Sequence, residues 1–148
     1  MDTESLLKSL KEHKVDFVII GATAFPVHGY ARATLDIDIF IRPTPGNALK
    51  TYKALKDFGY DVTDIKIEEF LKKKLLIRQY AVETDIHPFV TGINFERVWS
   101  NKVRAKFGNT YVYFASLNDL IKMKQSAGRP KDLEDLKYLK KQKKLKQK

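Results

Sequence analysis

The segment Ala33–Ile41, ATLDIDIFI, places two aspartates one residue apart within an apolar run. Successive side chains of a β-strand point to opposite faces, so Asp36 and Asp38 share one face while the isoleucines share the other. The two carboxylates then stand about 6.5 to 7 Å apart and repel each other in a poorly hydrated site. Aspartate is depleted in strands. The pair therefore marks either a solvated strand face or a site that holds a cation.

Composition narrows the class of protein. The chain has 148 residues, of which 43% are hydrophobic, enough for one compact domain with a real core. It has no cysteine, which excludes disulfides and thiolate zinc sites and fits a reducing cytosol. No apolar run reaches the ~18 residues of a membrane span. The first residues, MDTESLLKSLKEHK, predict a charged amphipathic helix and no signal peptide. We therefore expect a soluble, cytoplasmic protein.

The net charge of +10 is concentrated at the end of the chain. Residues 140–148, KKQKKLKQK, contain six lysines and no acid, which leaves a net charge of +4 on the rest. We expect a single domain over residues 1–139, followed by a basic C-terminal tail over 140–148. Such a tail is either a phosphate-binding segment or a solvated helix end.

Hydrophobic periodicity and turn residues predict an α+β fold with a mixed β-sheet. The expected sheet has about four to six strands, with helices packed mainly on one face. The predicted elements are a helix over 3–13, a strand over 15–20, a short helix over 23–30, the Asp-bearing strand, a helix from Thr44-Pro45 to Gly59, strands over 74–82 and 83–90, a hairpin of 102–107 with 110–115, and two closing helices.

Gly21 lies where the first strand passes into a helix. A glycine there allows backbone amides to approach a ligand, and the helix N-terminus favours an anion such as phosphate. If the first two strands pair, Gly21 and the two aspartates lie at one end of the sheet. A phosphate-binding turn would then lie next to the carboxylates.

The stretch IIGATAFPVHGYARATLDIDIFI, residues 19–41, resembles the opening of the polymerase-beta-like nucleotidyltransferase superfamily, in which a glycine-led turn precedes Asp-x-Asp. That superfamily usually has Gly-Gly or Gly-Ser at the turn, whereas this chain has Gly21-Ala22. The run His28–Thr34 resembles the small prokaryotic branch related to AbiEii-type toxins.

A late motif of that branch resembles two further stretches. They are Ser116–Lys124, SLNDLIKMK, and Ala127–Asp135, AGRPKDLED. Asn118 stands where the branch commonly has an acid. The resemblance covers most of the chain from about residue 15 to residue 139.

The resemblance implies a third carboxylate on a later strand, and Asp85 in VETDIHP is the candidate, with Glu83 as a substitute. Asp36, Asp38 and Asp85 would be the catalytic residues and the ligands of Mg²⁺ or Mn²⁺, since hard oxygen donors suit these ions. In a two-metal arrangement the first two aspartates would bridge the ions. Asp85 would hold one ion and could accept the hydroxyl proton.

The candidate nucleotide-binding residues are two residues of the turn after the first strand and two cations, and each cation has an alternative role. Gly21 and Ala22 form the turn, Lys124 is either a triphosphate ligand or a solvated lysine, and Arg32 either clamps a phosphate or pairs with an acid. Asp132 and Asp135 are either further site residues or acids favoured in the first turn of a helix. His28 and His87 lack a third metal ligand at a convincing spacing, so we expect structural roles for both.

These observations predict a metal-dependent nucleotidyltransferase that moves a nucleoside monophosphate from an NTP to a hydroxyl and releases pyrophosphate. Acceptors include tRNA or another RNA, proteins and small molecules, and the small size favours a partner protein or a homo-oligomer. The alternative is a catalytically silent nucleotidyltransferase fold that binds nucleotides or nucleic acid, as in a toxin–antitoxin module.

Overall fold

The computed structural model describes residues 2–147, which form five α-helices, two 3₁₀ helices and six strands. The α-helices are α1 (Thr3–Glu12), α2 (Pro45–Phe58), α3 (Phe95–Ser100), α4 (Leu117–Ala127) and α5 (Pro130–Lys146). The strands are β1 (Phe17–Ile20), β2 (Asp36–Ile41), β3 (Leu75–Gln79), β4 (Val82–His87), β5 (Val103–Phe107) and β6 (Thr110–Phe114). The 3₁₀ helices span Gly21–His28 and Ile67–Leu71.

The six strands form one mixed sheet in the order β3-β4-β2-β1-β6-β5. The two hairpins β3–β4 and β5–β6 are antiparallel, as is the central pair β1–β2. Two parallel pairs, β2–β4 and β1–β6, join these units. The α+β class and the mixed sheet predicted from sequence are confirmed.

One face of the sheet packs against α1 and α2. Ile39 of β2 is fully buried on this face. The Ser9 hydroxyl of α1 donates a hydrogen bond to the Ala54 carbonyl of α2 at 2.7 Å. The Thr110 hydroxyl of β6 donates to the Glu4 carboxylate of α1 at 3.1 Å. These contacts fix both helices on the isoleucine face that the strand alternation predicts.

The opposite face, which carries the aspartates, is covered only in part. The Phe95 ring of α3 packs edge-on against Phe40 of β2, with ring centroids 5.2 Å apart. Helices α4 and α5 pack on each other and on the 3₁₀ helix Gly21–His28. The expectation of helices mainly on one face therefore needs correction. Helix α3 and the 3₁₀ helix Ile67–Leu71 were not among the predicted elements.

Helix α5 continues through most of the segment expected to be a tail. The predicted boundary at residue 139 falls inside this helix, and Leu139 is fully buried.

The Lys146 ammonium donates a hydrogen bond to Nδ1 of His28 at 3.2 Å, while Nε2 of His28 lies 2.8 Å from the Ala115 carbonyl oxygen. A neutral imidazole protonated at Nε2 satisfies both contacts. Burial lowers the pKa of His28 and so favours this neutral form.

Gly21 joins β1 to the first 3₁₀ helix with φ +71°, and a β-carbon there would collide with the Asp38 carboxylate. We predict that Gly21→Ala lowers the free energy of unfolding by about 1–2 kcal/mol or more, because a left-handed residue with a side chain is strained. Urea titration measures this change.

Gly46 provides the matched control for this substitution. It lies in the first turn of α2 and nothing surrounds its missing β-carbon within 4 Å. Gly46→Ala should leave stability unchanged or raise it by about 0.4–1 kcal/mol. Equal effects of the two substitutions would contradict the close approach of Gly21 to Asp38.

Candidate functional site

The central strands bring two carboxylates face to face. In the β1–β2 pairing Ile20 is opposite Asp38, and in the parallel β2–β4 pairing Asp38 is opposite Asp85. Directly paired residues share a face, so both carboxylates point to the side that α1 and α2 leave uncovered. Asp36 lies on the same face, one pleat away. All three predicted aspartates therefore stand on one side of the sheet.

His87 completes a close group with two of them. Nε2 of His87 lies 2.8 Å from Oδ1 of Asp38. The ligand atoms of Asp38, Asp85 and His87 lie within 4.8 Å of one another, a spacing from which one metal ion could be bound. This group shares Asp38 and Asp85 with the predicted set of Asp36, Asp38 and Asp85. Two carboxylates and one imidazole suit Mn²⁺, and the two carboxylates alone suit Mg²⁺.

Two cationic side chains pair with Asp85: Lys74, just before β3, and Arg78 within β3. Nη1 of Arg78 donates to Oδ1 of Asp85 at 2.6 Å, and its Nη2 lies 3.8 Å from Oδ2 of Asp36. Nζ of Lys74 lies 3.7 Å from Oδ2 of Asp85. Hydrogen bonding to Asp85 raises the pKa of Arg78. Any ion that binds Asp85 therefore competes with two side chains that already hold it.

A cavity of about 320 Å³ opens beside Asp38. Its polar lining consists of acidic and basic side chains and the glycine of the turn after β1. Its apolar lining comes from β1, from the segment after β4, and from α4. The polar residues are Gly21, Asp38, Lys74, His87, Thr91, Lys124, Arg129 and Asp132, and the apolar residues are Ile20, Phe89, Val90, Leu120, Met123 and Ala127.

Two buried aspartates of α5 hold Lys124 of α4 at this cavity. Its Nζ lies 3.0 Å from Oδ1 of Asp132 and 3.2 Å from Oδ2 of Asp135. Arg129 donates to Asp132 at 2.7 Å, and Arg32 donates to both oxygens of Asp135 at 2.7 and 2.9 Å. Lys124 is thus a fixed, mostly buried cation. Arg32 pairs with an acid, the alternative that its sequence context left open.

Asp36 faces a different cavity from Asp38. This second cavity of about 290 Å³ is also lined by Ala22, Arg32, Thr34 and Glu83. The predicted nucleotide-binding residues therefore divide into two sets. Gly21 and Lys124 lie with Asp38, whereas Ala22 and Arg32 lie with Asp36.

Four side chains near these acids were not predicted as site residues, and one of them, His87, was expected to have a structural role. They are Lys74, Arg78, His87 and Arg129. The signal for His87 was available, since it follows Asp85 by two positions and so shares its strand face. Its contact with Asp38 depends on the parallel β2–β4 pairing, which no local pattern encodes. Arg78 contacts Asp85 across the β3–β4 hairpin. This contact depends on the pairing register of the two strands, which no local pattern encodes.

The sequence of the chain is similar to one known protein family over almost its whole length. A family described as "Nucleotidyltransferase of unknown function (DUF6036)" matches residues 1–145. No curated protein matches the chain. Within residues 2–147, every helix is too short or too polar to cross a membrane.

The acids that hold Lys124 titrate abnormally. Burial alone would raise the pKa of Asp132 and Asp135, but hydrogen bonds from Arg129, Arg32 and Lys124 outweigh burial and lower both pKa values. Carboxylates with a lowered folded-state pKa stabilise the protein above their ordinary pKa. That contribution is lost as the pH falls through the folded-state values.

We predict that Asp135→Asn lowers the free energy of unfolding at pH 7 by about 1.5–3 kcal/mol, because charged hydrogen bonds from two cations are lost. The difference between variant and parent should shrink as the pH falls below 3.8, the ordinary pKa of this carboxyl. Denaturant titrations from pH 7 to pH 2 measure it.

Glu134→Gln is the matched control, since it removes the same charge from an exposed neighbouring position of α5. It should change stability by less than about 0.5 kcal/mol at every pH. A similar loss in both variants would mean that Asp135 acts only through the net charge of α5.

Proposed function

The chain belongs to this nucleotidyltransferase family, and we propose that it transfers a nucleoside monophosphate from an NTP to a hydroxyl group. The observation that carries the proposal is the cavity that Asp38 lines together with Lys124, Arg129 and several apolar side chains. A nucleoside triphosphate with a divalent cation has the complementary distribution of charge. The further likeness to AbiEii-type toxins and a cytoplasmic location stay predictions.

The cavity supplies separate surfaces for the parts of the donor. Lys124 and Arg129 lie on the α4–α5 side, where they would neutralise the phosphates. Gly21 lines the same cavity at the start of the 3₁₀ helix, where its backbone would lie near the phosphates. Phe89, which is 62% exposed, and Met123 would pack against the base.

Asp38 and Asp85 would hold Mg²⁺ or Mn²⁺, with His87 as a further ligand or as the group that orients Asp38. A divalent cation there would neutralise the α-phosphate and lower the pKa of an attacking hydroxyl. Arg78 and Lys74 would have to release Asp85 for this to happen. Both side chains contact the Asp85 carboxylate directly.

The two cavities suggest separate entry paths for donor and acceptor. An acceptor hydroxyl in the cavity that Asp36 lines would approach the α-phosphorus from the Asp36 side. Its oxygen would form the new O–P bond while the bond from phosphorus to the pyrophosphate oxygen breaks. Asp36 would accept the hydroxyl proton, the role that the resemblance gave to Asp85. Lys124 and Arg129 would hold the departing pyrophosphate.

The acceptor class follows from charge. A net charge of +10 favours a polyanionic acceptor, and we propose an RNA end, including tRNA. A protein partner or a second copy of the chain would supply recognition surface that one small domain lacks.

A catalytically silent binding module is the second candidate. Two observations favour it. Ala22 offers no hydroxyl where related turns often have serine, and it is buried. Arg78 already occupies Asp85 with a 2.6 Å hydrogen bond. Such a protein would bind nucleotide without transferring it.

We predict that millimolar Mn²⁺ or Mg²⁺ with an NTP raises the thermal midpoint, since a ligand at 100 times its Kd adds about 2.7 kcal/mol of stability. Asp38→Asn should abolish this shift, and His87→Gln should weaken metal affinity about 10- to 100-fold. Differential scanning fluorimetry with a metal titration measures both effects.

Asp64→Asn is the control, because Asp64 is exposed and lies in the loop after α2. It should respond to metal and nucleotide as the parent does. A full shift in Asp38→Asn would place the nucleotide elsewhere.

We predict that the protein incubated with α-labelled NTPs, Mg²⁺ or Mn²⁺ and total RNA labels an RNA species. Asp38→Asn and Asp36→Asn should each reduce labelling at least 100-fold, because charge stabilisation and proton transfer each contribute about that much or more. Gel electrophoresis of the labelled products measures transfer. Nucleotide binding without transfer to RNA, protein or small molecules would support the silent module instead.

A further inference from the structure

A third concave surface lies at the other end of β1 from Gly21. We call it the aromatic cleft and define it by Lys11, Lys14, Trp99, Arg104, Tyr111 and Tyr113, which enclose about 330 Å³. Asp16 and Phe17, at the start of β1, also line it. The candidate site follows the end of β1, about 13 Å further along the strand. The cleft is therefore a separate feature.

The tyrosines of this cleft are not needed for the core. Strand β6 alternates strictly, with Val112 and Phe114 buried and with Tyr111 and Tyr113 exposed by 39% and 37%. The ring of Trp99 from α3 meets Tyr113 edge-on at 5.6 Å between centroids. Three aromatic rings thus form a partly exposed wall on the outer side of a sheet whose inner side is already filled.

Cations stand directly over these rings. Cζ of Arg104 lies 3.8 Å from the centroid of the Tyr111 ring, and Nζ of Lys106 lies 5.3 Å from it. Nζ of Lys102 lies 4.1 Å from the Trp99 centroid and 4.7 Å from the Tyr113 centroid. Lys102, just before the edge strand β5, and Arg104 and Lys106 within β5 therefore line the aromatic wall with positive charge.

The positive charge of the cleft is not neutralised by the acid that lines it. Among its lining residues Asp16 is the acid, and its Oδ2 accepts a hydrogen bond from Nε of Arg42 at 2.9 Å. Arg42 lies outside the lining, so it neutralises Asp16 without using a cation of the cleft. Lys11, Lys14 and Arg104 remain to attract an anion.

We propose that the aromatic cleft binds single-stranded nucleic acid, with a base stacked on Tyr111, Tyr113 or Trp99 and phosphates on the surrounding cations. Exposed aromatic rings interleaved with lysine and arginine are how proteins hold unpaired bases and track a backbone. A base can also stack on the guanidinium plane of Arg104.

The size and shape of the cleft select the form of nucleic acid. About 330 Å³ admits a base or one nucleotide and no duplex. Bases in a duplex are stacked on one another, so their faces cannot reach the rings of the cleft. Basic residues alone would bind either form through the phosphates.

This proposal does not depend on the proposed transferase activity. Helix α3 separates the two regions, since its Phe95 packs on Phe40 beside the candidate site and its Trp99 packs on Tyr113 in the cleft. Binding in the cleft needs neither an NTP nor a metal ion. It can therefore be measured in EDTA, where failure of the transferase hypothesis has no effect.

Trp99 gives a local readout because it is the single tryptophan of the chain. We expect oligo(U) and oligo(dT) of 12 nucleotides to quench its fluorescence, and a 12-base-pair RNA duplex to quench it much less. Comparison of the two oligonucleotides shows whether the 2′-hydroxyl contributes. Equal quenching by the duplex would overturn the proposal.

The double variant Tyr111→Leu/Tyr113→Leu removes both rings and keeps the charge and the strand character. Its affinity for a fluorescein-labelled 12-mer, measured by anisotropy at 0.2 M salt, should fall about tenfold or more. Tyr111→Phe/Tyr113→Phe keeps the rings and should bind like the parent. Circular dichroism and thermal melting show whether each variant is folded.

Two controls separate stacking from charge. Tyr80→Leu removes a tyrosine that is 62% exposed in the β3–β4 turn, and it should leave affinity unchanged. Deletion of residues 140–148 removes the C-terminal lysines and should reduce the salt dependence, while the tyrosine effect persists. Binding by Tyr111→Leu/Tyr113→Leu at the parent's affinity, or equal losses in Tyr80→Leu, would overturn the proposal.

Discussion

The carboxylates of Asp38 and Asp85 face each other across adjacent strands at the centre of the sheet, and their repulsion must be balanced by cations. Backbones of paired strands are about 4.8 Å apart, so two ionised carboxylates on one face interact strongly. Arg78 and Lys74 supply the balance to Asp85, and His87 contacts Asp38. The site is therefore held together by charges that a divalent cation would replace.

The cations near the site differ in mobility. Lys124 lies between the buried carboxylates of Asp132 and Asp135, and its side chain is 14% exposed. Lys74 is 49% exposed and contacts Asp85 at 3.7 Å, which leaves it free to rearrange at small cost. The fixed lysine suits the positioning of phosphates. The exposed lysine and Arg78 suit a role as replaceable counter-ions.

Local sequence patterns predicted the fold class and the strand that bears Asp36 and Asp38, because period-two alternation and a glycine turn are local signals. They also predicted that these acids share a face. They did not predict the strand order, which sets His87 beside Asp38 and Arg78 beside Asp85. Those contacts depend on long-range pairing that one sequence does not encode visibly. The continuation of α5 to Lys146 matches one of the two alternatives left open for the C-terminal segment, since lysine-rich composition does not distinguish a helix end from a tail.

The basic character of the chain has two structural origins. Lysines of α5 after Leu139 are mostly exposed and give a diffuse field that attracts any polyanion and is screened by salt. Lys102, Arg104 and Lys106 instead stand over the rings of Trp99 on α3 and of Tyr111 and Tyr113 on β6. Cations held against rings keep their positions, so they present phosphate-binding groups at fixed distances from stacking surfaces. Composition alone reveals the lysines of α5. The arrangement of cations over aromatic rings follows from the alternation of side chains along β5 and β6 and from the register in which these strands pair. Net charge alone therefore describes attraction, and the sheet supplies the geometry on which selectivity between single strands and duplexes would rest.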